Sequence, residues 1–281
     1  MNNNINNPDI NYIINPSDFV ILDYNKHCDN KLELSQEMLL NCGCSINVIN
    51  KIFNIKYKIK KNLVYGIKKK GDVYRIEIYL YKKNINNNSD NINRQFKQNL
   101  IIILNELGIV YTNNIDSTIN NLDIYLVSFD IDLLDFTFDN KLHFYIKNDK
   151  KSYTITYDII NNNIVFESYF VRLFNYDELR YVLNELKKNG LNNNWDYLIE
   201  DLKNISKKPH SIMFHYKYYN NNLGFYLFGN NYIELDNFLK KFNYKKLYSN
   251  KEKFKDLSFD LVINYDLLNN QISGTGFSDY I

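Results

Sequence analysis

The sequence predicts an α+β fold of about ten antiparallel strands arranged as hairpins, with helices packed on one side. Three observations predict it. Short runs rich in β-branched and aromatic residues alternate with polar ones at period two. Turn-prone Asn and Gly clusters separate these runs in pairs. Apolar stripes at helical spacing lie between the pairs. Apolar residues make up 45% of the 281, enough for a sizeable core in a single domain.

The elements follow in order. Residues 1–16 are Asn-rich, carry Pro8 and Pro16, and read as a disordered or draped N-terminus; 17–281 read as one α+β domain. Leu32, Leu34, Met38, Leu39 and Leu40, then Ile46, Val48, Ile49, Ile52 and Phe53, predict two short helices joined at Gly43. Leu63–Lys69 and Val73–Lys83 flank Lys70–Gly71–Asp72 as a hairpin, and Asn84–Asn91 is a polar linker. Arg94–Leu107 carries one apolar stripe and ends at Gly108, a C-cap glycine. Strands are expected at Leu122–Asp132, Leu142–Lys147, Ser152–Ile160 and Ile164–Arg172, the last two joined by Asn161–Asn163.

The best-marked helix is Asn175–Lys188, with Asn175 as N-cap, Glu178 completing a capping box, and Gly190 beyond its end. Trp195–Leu202 is a second helix. Ser211–Tyr219 and Leu223–Gly229 form a hairpin around Asn220–Asn222. Tyr232–Phe242 is helical, and Leu257–Asp266 with Gln271–Tyr280 closes the chain as a last hairpin. The order hairpin, helix, strand runs from Leu63 to Asp132 and again from Ile212 to Asp266, so an internal duplication is expected, with halves at 55–190 and 205–281.

Composition and charge exclude several classes. A net charge of +2 gives no footprint for general nucleic-acid binding. The longest apolar run, Leu100–Leu104, is too short for a membrane span. Met1–Asn7 has neither a basic nor an apolar signal region, so a cytoplasmic location is expected. Cys28, Cys42 and Cys44 are too few and odd in number for a disulfide framework. Asn, Ile, Lys and Tyr dominate and Ala is missing, as an AT-rich genome would produce. Signals resting on Asn or Tyr abundance alone therefore carry little weight.

The patterned faces carry the functional signal. In Val73–Lys83, Ile76, Ile78 and Leu80 share one face, while Arg75, Glu77, Tyr79 and Tyr81 share the other. Likewise Leu142, Phe144 and Ile146 oppose His143, Tyr145 and Lys147, and Ile212, Phe214, Tyr216 and Tyr218 oppose Met213, His215, Lys217 and Tyr219. Helices must cover the apolar face. The polar face either meets water or, on closure to a barrel, lines a lumen. A lumen of cations and tyrosines suits a diphosphate and a carbocation.

These alternations resemble the inner strands of ABBA-type aromatic prenyltransferases. The resemblance rests on Lys217–Tyr218–Tyr219, which is similar to that family's Lys-x-Tyr pattern, on Arg75-x-Glu77-x-Tyr79-x-Tyr81, on His143-x-Tyr145-x-Lys147, and on the hairpin from Ser258 to Phe277. It covers residues from about Lys31 onward. It implies a ten-stranded barrel ringed by helices and isoprenyl transfer from an allylic diphosphate to an aromatic small molecule or peptide. The diphosphate-binding residues it implies are Arg75, Lys147, Lys217 and Tyr219. Tyr79, Tyr81 and Tyr145 would shield the cation, and Glu77 would be the base. One departure stands out: the family sets helices before each hairpin, whereas only Asn148–Lys151 precedes the strand at Ser152.

Other constellations point elsewhere. Asp130-x-Asp132 ends an apolar strand, and such a pair can share Mg²⁺ in a metal-dependent nucleotidyl or glycosyl transferase; Asp ending a strand is equally ordinary turn chemistry. No glycine-rich nucleotide loop accompanies it. His27, Cys28, Cys42 and Cys44 lie within 18 residues, at spacings unlike common zinc sites. Gly274–Thr275–Gly276 reads as a loose terminal edge or a bulge. A third reading is a non-catalytic structural or host-interaction protein that binds a protein partner.

Overall fold

The computed structural model describes residues 36–59, 63–82, 89–147, 152–188, 191, 193–217, 222–247 and 257–279. Helices α1 (Gln36–Asn41) and α2 (Ile46–Lys58) precede the hairpin β1 (Leu63–Lys70) and β2 (Val73–Tyr81). Helices α3 (Ser89–Glu106) and α4 (Asn113–Asn121) lead to β3 (Ile124–Asp132) and β4 (Lys141–Lys147). Strands β5 (Ser152–Asp158) and β6 (Asn163–Leu173) follow at once. Then come α5 (Tyr176–Lys188), α6 (Trp195–Ile205), β7 (Ser211–Lys217), β8 (Asn222–Asn230), α7 (Tyr232–Lys241), β9 (Phe259–Asp266) and β10 (Gln271–Asp279).

The ten strands form one closed antiparallel barrel, each pairing with its sequence neighbour and β1 with β10. The seam is Gly66↔Ser278, Ile67↔Phe277, Lys68↔Gly276 and Lys69↔Thr275. Closure gives "one side" a definite meaning, because the helices all lie outside. Ile76, Ile78, Leu80, Phe144 and Phe214 point outward and are fully buried. They join one cluster with Leu100 and Leu104 of α3, Leu183 of α5, Leu202 of α6 and Phe238 of α7. The inward residues Val64, Tyr79, Leu126, Tyr145 and Phe170 form a separate cluster inside the barrel.

Several expectations change in detail. The Asn-rich stretch 113–121 is helix α4, held by Ile115 and Ile119 and capped by Thr112, whose side chain accepts the Ile115 N–H. Its short polar sequence hides the helical stripe. The Asn175 side chain accepts the N–H groups of Asp177 and Glu178 as expected, but Glu178 reaches back to the Phe174 N–H instead of that of Asn175. The complete capping box lies at Asn231 and Glu234. Only four residues separate β4 from β5, too few for a helix pair, yet the two strands pair from Lys141↔Asp158 to Lys147↔Ser152. The meander therefore continues the barrel instead of breaking it, and leaves Tyr153, Phe166 and Tyr169 half-buried on the outer wall.

Gly274–Thr275–Gly276 is no loose edge. It follows a register shift between Ile272 and Gly274 and lies in the closing seam. A Cβ on Gly276 would stand 3.0 Å from the Ile67 carbonyl oxygen and 3.2 Å from Lys68 Cγ. Gly276→Ala is expected to lower stability by about 1–3 kcal/mol through this crowding. Leu268→Ala, on the exposed β9–β10 turn, is expected to stay within about 0.5 kcal/mol of wild type. Urea unfolding midpoints read both.

Candidate active site in the barrel lumen

The barrel has two unlike ends. The β1–β2, β3–β4, β5–β6 and β9–β10 connections gather at one, the hairpin end; the helices enter and leave at the other. Alternation then assigns the inner wall. β1 sends Lys68 inward, β2 sends Glu77 and Tyr79, β3 sends Ser128 and Asp130, and β4 sends His143 and Tyr145.

Glu77 is only 2% exposed. A carboxylate so buried must be paired or protonated. It is paired on both oxygens. Lys68 Nζ stands 2.6 Å from Oε2, the Tyr79 hydroxyl donates to the same oxygen, and Ser128 Oγ donates to Oε1 at 3.0 Å. Lys68 also reaches Asp130 at 3.0 Å. Burial alone would push the Lys68 ammonium down, but Asp130 and Glu77 overcome it and hold its pKa above the ordinary value. Burial, reinforced by Glu77, raises the Tyr79 phenol well above its usual range, so it remains a donor.

A second acid–base pair lies beside the first. His143 Nδ1 is 2.9 Å from Glu167 Oε2, and Thr156 Oγ1 donates to the same oxygen at 2.9 Å. Burial opposes protonation of this imidazole, but the Glu167 charge and hydrogen bond, with Asp130 behind them, win, so its pKa is raised. Aromatic rings line another part of the lumen. Phe170 stacks on His215 at 5.1 Å between centroids, and Tyr226 lies 4.9 Å from His215. Tyr145 packs on Phe170 at 6.1 Å. These rings leave a cavity of about 40 Å³ toward the helix end, bounded by Tyr79, Tyr81, Tyr145, Met213, Tyr226 and Phe228. That is room for about one or two waters, so a larger ligand enters by displacing side chains.

The residues singled out from sequence separate into groups. Glu77, Tyr79 and Tyr145 lie together and buried, and Tyr81 lines the cavity. Arg75 is exposed at the hairpin end, opposite Asp132 in register. The Lys217 backbone is also at the hairpin end, and that of Lys147 is at the helix end. Tyr219 lies outside the described residues. Asp130 is paired with Lys68, while Asp132 accepts the Leu134 N–H in its turn. Among the described residues no three His, Cys, Asp or Glu side chains are grouped to hold a metal ion. His27 and Cys28 lie outside the described residues. Cys42 and Cys44 are buried free thiols, raised by burial to about 12 and about 11.

Sequence reasoning left Lys68, Ser128, Glu167, Phe170 and Tyr226 out of the site. Ser128 was legible, since it alternates with Asp130 on β3. Glu167 was not, because it stands at a register shift: Thr154 pairs with Ser168 but Ile155 with Phe166, which leaves Glu167 as the extra residue of a bulge.

Barrel closure, a polar and aromatic lumen and an outer helical ring together match known structures. The fold is the prenyltransferase barrel. The chain superimposes on NotF in complex with brevianamide F and DMSPP with a TM-score of 0.60 at 9% identity, covering 92% of this chain and 96% of that one. The 5-dimethylallyl tryptophan synthase from Streptomyces coelicolor in complex with DMASPP and Trp gives 0.54 at 4% identity, covering 87% and 92%. AnaPT from Neosartorya fischeri gives 0.51 at 10%, covering 89% and 92%. These neighbours are ABBA-type aromatic prenyltransferases. No protein-family model matches the sequence, and no curated protein sequence is similar to it. No helix among the described residues is long and apolar enough to cross a membrane.

The His143 pair makes a stability prediction. Its folded pKa is raised above the ordinary 6.5. The stabilisation is therefore full below 6.5 and is lost as pH rises through the folded value. Glu167→Gln removes the cause. Urea midpoints measured from pH 5.5 to 9 are expected to fall with rising pH more steeply in wild type than in Glu167→Gln; parallel curves would contradict the coupling.

Proposed function

We propose that this chain transfers an isoprenyl group from an allylic diphosphate to an aromatic acceptor inside the barrel lumen. One observation carries the reading: a belt of buried aromatic rings, Tyr79, Tyr145, Phe170 and Tyr226, stands beside the buried Glu77 carboxylate in a prenyltransferase-type barrel.

The chemistry follows from that arrangement. The allylic C–O bond breaks and its electron pair leaves with the diphosphate. Ring faces within about 6 Å of a cation attract it through their quadrupoles, and Tyr79, Tyr81 and Tyr145 are the candidates here. Excluding water protects the cation from quenching. A carbon of the acceptor ring supplies the pair for the new C–C bond, and loss of the ring proton restores aromaticity. Glu77 contributes a fixed negative charge where positive charge develops, held by Lys68, Tyr79 and Ser128. Arg75, Lys147, Lys217 and Tyr219 are the proposed diphosphate ligands. Arg75 and Lys217 start from the same end of the barrel, which is therefore the end proposed to hold the diphosphate, and Lys147 starts from the other. The acceptor is an aromatic small molecule or peptide. A reducing cytoplasm suits the free thiols of Cys42 and Cys44.

The test is incubation with dimethylallyl or geranyl diphosphate and a panel of aromatic acceptors, read by mass spectrometry, alongside thermal unfolding. Acceptors gain one isoprenyl unit, and a donor at 100 times its Kd adds about 2.7 kcal/mol of stability. Tyr145→Phe keeps the ring face and is expected to retain the rate. Tyr145→Leu removes it and is expected to lower kcat roughly 2- to 30-fold, the equivalent of about 0.5–2 kcal/mol. Absence of both transfer and stabilisation would overturn the reading. Stabilisation by Mg²⁺ alone, lost in Asp130→Asn, would instead favour the metal-dependent transferase. A chain inert to all of these would be a protein-binding module.

A further inference from the structure

We propose that His143, and not Glu77, takes the proton that the acceptor ring releases, with Glu167 and Thr156 as its positioning residues. The inference rests on the proposed prenyl transfer and names the base for it.

Three observations carry it. The first is that both Glu77 oxygens are already engaged by donors. Oε1 accepts from Ser128, and Oε2 accepts from Tyr79 and Lys68. These donors and the Lys68 charge stabilise the anionic form, which makes Glu77 a weaker base. The second is the way His143 is held. Its Nδ1 lies 2.9 Å from Glu167 Oε2 and 3.1 Å from Thr156 Oγ1, whose own hydroxyl donates to Glu167. With Nδ1–H committed to the carboxylate, the neutral ring carries its lone pair on Nε2. This is the orienting arrangement of a carboxylate–imidazole pair, in which the carboxylate steadies the imidazolium once it forms. The third is the bulge in β6. A regular strand would turn Glu167 away from the face that carries Ser168. The register shift between Thr154 and Ile155 re-aims it onto His143. Bulges collect beside active sites because they redirect one side chain in this way.

Position supports the role. His143 is opposite Ser128 in register and two residues from Tyr145, about 7 Å along β4 from the aromatic belt. Its side chain is 17% exposed against 3% for Glu77, so a proton collected on His143 has a route to water. The charged groups that face it are Glu167 on β6, Asp130 on β3, Asp139 in the β3–β4 loop and Lys68 on β1. In the step itself, the ring C–H bond breaks, its electron pair returns to the ring, and the proton bonds to Nε2. The resulting imidazolium is paired with Glu167 until it loses the proton to solvent.

The experiment couples a pH–rate profile to an NMR titration of the His143 ring in the full chain. The wild-type kcat is expected to rise with pH and level off at the pKa read for His143. Glu167→Gln should move both to lower pH together. His143→Gln should lower kcat by about 10²- to 10⁴-fold, with little change in KM, and abolish the limb. Glu77→Gln should lower the rate but keep the limb. A limb that persists in His143→Gln, or a rate within twofold of wild type, overturns the proposal and leaves prenyl transfer standing. If His143→Gln does not fold, the Glu167→Gln shift decides alone, and an unmoved profile overturns it. No transfer by wild type with any donor and acceptor removes the underlying reading and this proposal with it, whereas the NMR titration still reports whether the pair exists.

Discussion

The whole candidate site depends on closure of the strand meander between β1 and β10. An open ten-stranded sheet would leave two edges of unpaired backbone groups and would turn its polar face to water. Closure satisfies both edges and converts that face into an interior. It also sets the chemistry of the residues that can occupy it. Gly276 is needed at the seam because any larger residue would press on the Ile67 carbonyl and the Lys68 stem. Lys68 itself sits at that seam and anchors Glu77 and Asp130 from the neighbouring strands. The strand pairing that shapes the lumen and the ion pairs that line it thus share the same few residues.

A partly buried cluster of Lys68, Glu77 and Asp130 is an expensive way to stabilise a barrel. Apolar side chains of similar volume commonly do as well or better. Polar interiors of this kind are often kept for what the charges do, and here they stand against aromatic rings. The outer wall shows the contrast. There Ile76, Ile78, Leu80, Phe144 and Phe214 join one apolar cluster with the helices. The two faces of each strand differ, the outer one holding the fold and the inner one carrying the candidate site. The closed aromatic packing of the lumen adds a further consequence. Any ligand larger than a water or two must move rings to enter, so its binding would be coupled to reorganisation of Tyr145, Phe170 and Tyr226.

Much of this was legible in the sequence because a strand has period two. The split between Ile76–Ile78–Leu80 and Arg75–Glu77–Tyr79–Tyr81 marks two unlike faces by alternation alone, and His143 and Tyr145 repeat it on β4. Closure was legible only through the resemblance to prenyltransferase strands, since the same alternation by itself also serves an open sheet facing water. Lys68 was hidden because β1 runs Val-Tyr-Gly-Ile-Lys-Lys-Lys, where three consecutive lysines mask which one turns inward. Glu167 was hidden by its bulge, which breaks the period that made the other residues readable. Helix α4 was missed because its buried stripe is only Ile115, Thr118 and Ile119 in a run of Asn. Arg75 shows the opposite limit: alternation put it on the inner face, but its place beside the β1–β2 turn leaves it exposed.

The central claim is that the lumen, not the outer surface, receives the isoprenyl donor. A crystal structure of the chain grown with the non-hydrolysable donor analogue DMASPP tests it most directly. The account predicts the isoprenyl tail between Tyr79, Tyr145 and Tyr226, with rings displaced from their packed positions and the thiolodiphosphate toward one end of the barrel. An analogue bound on the helical exterior, or a lumen that stays closed at saturating analogue, would contradict it.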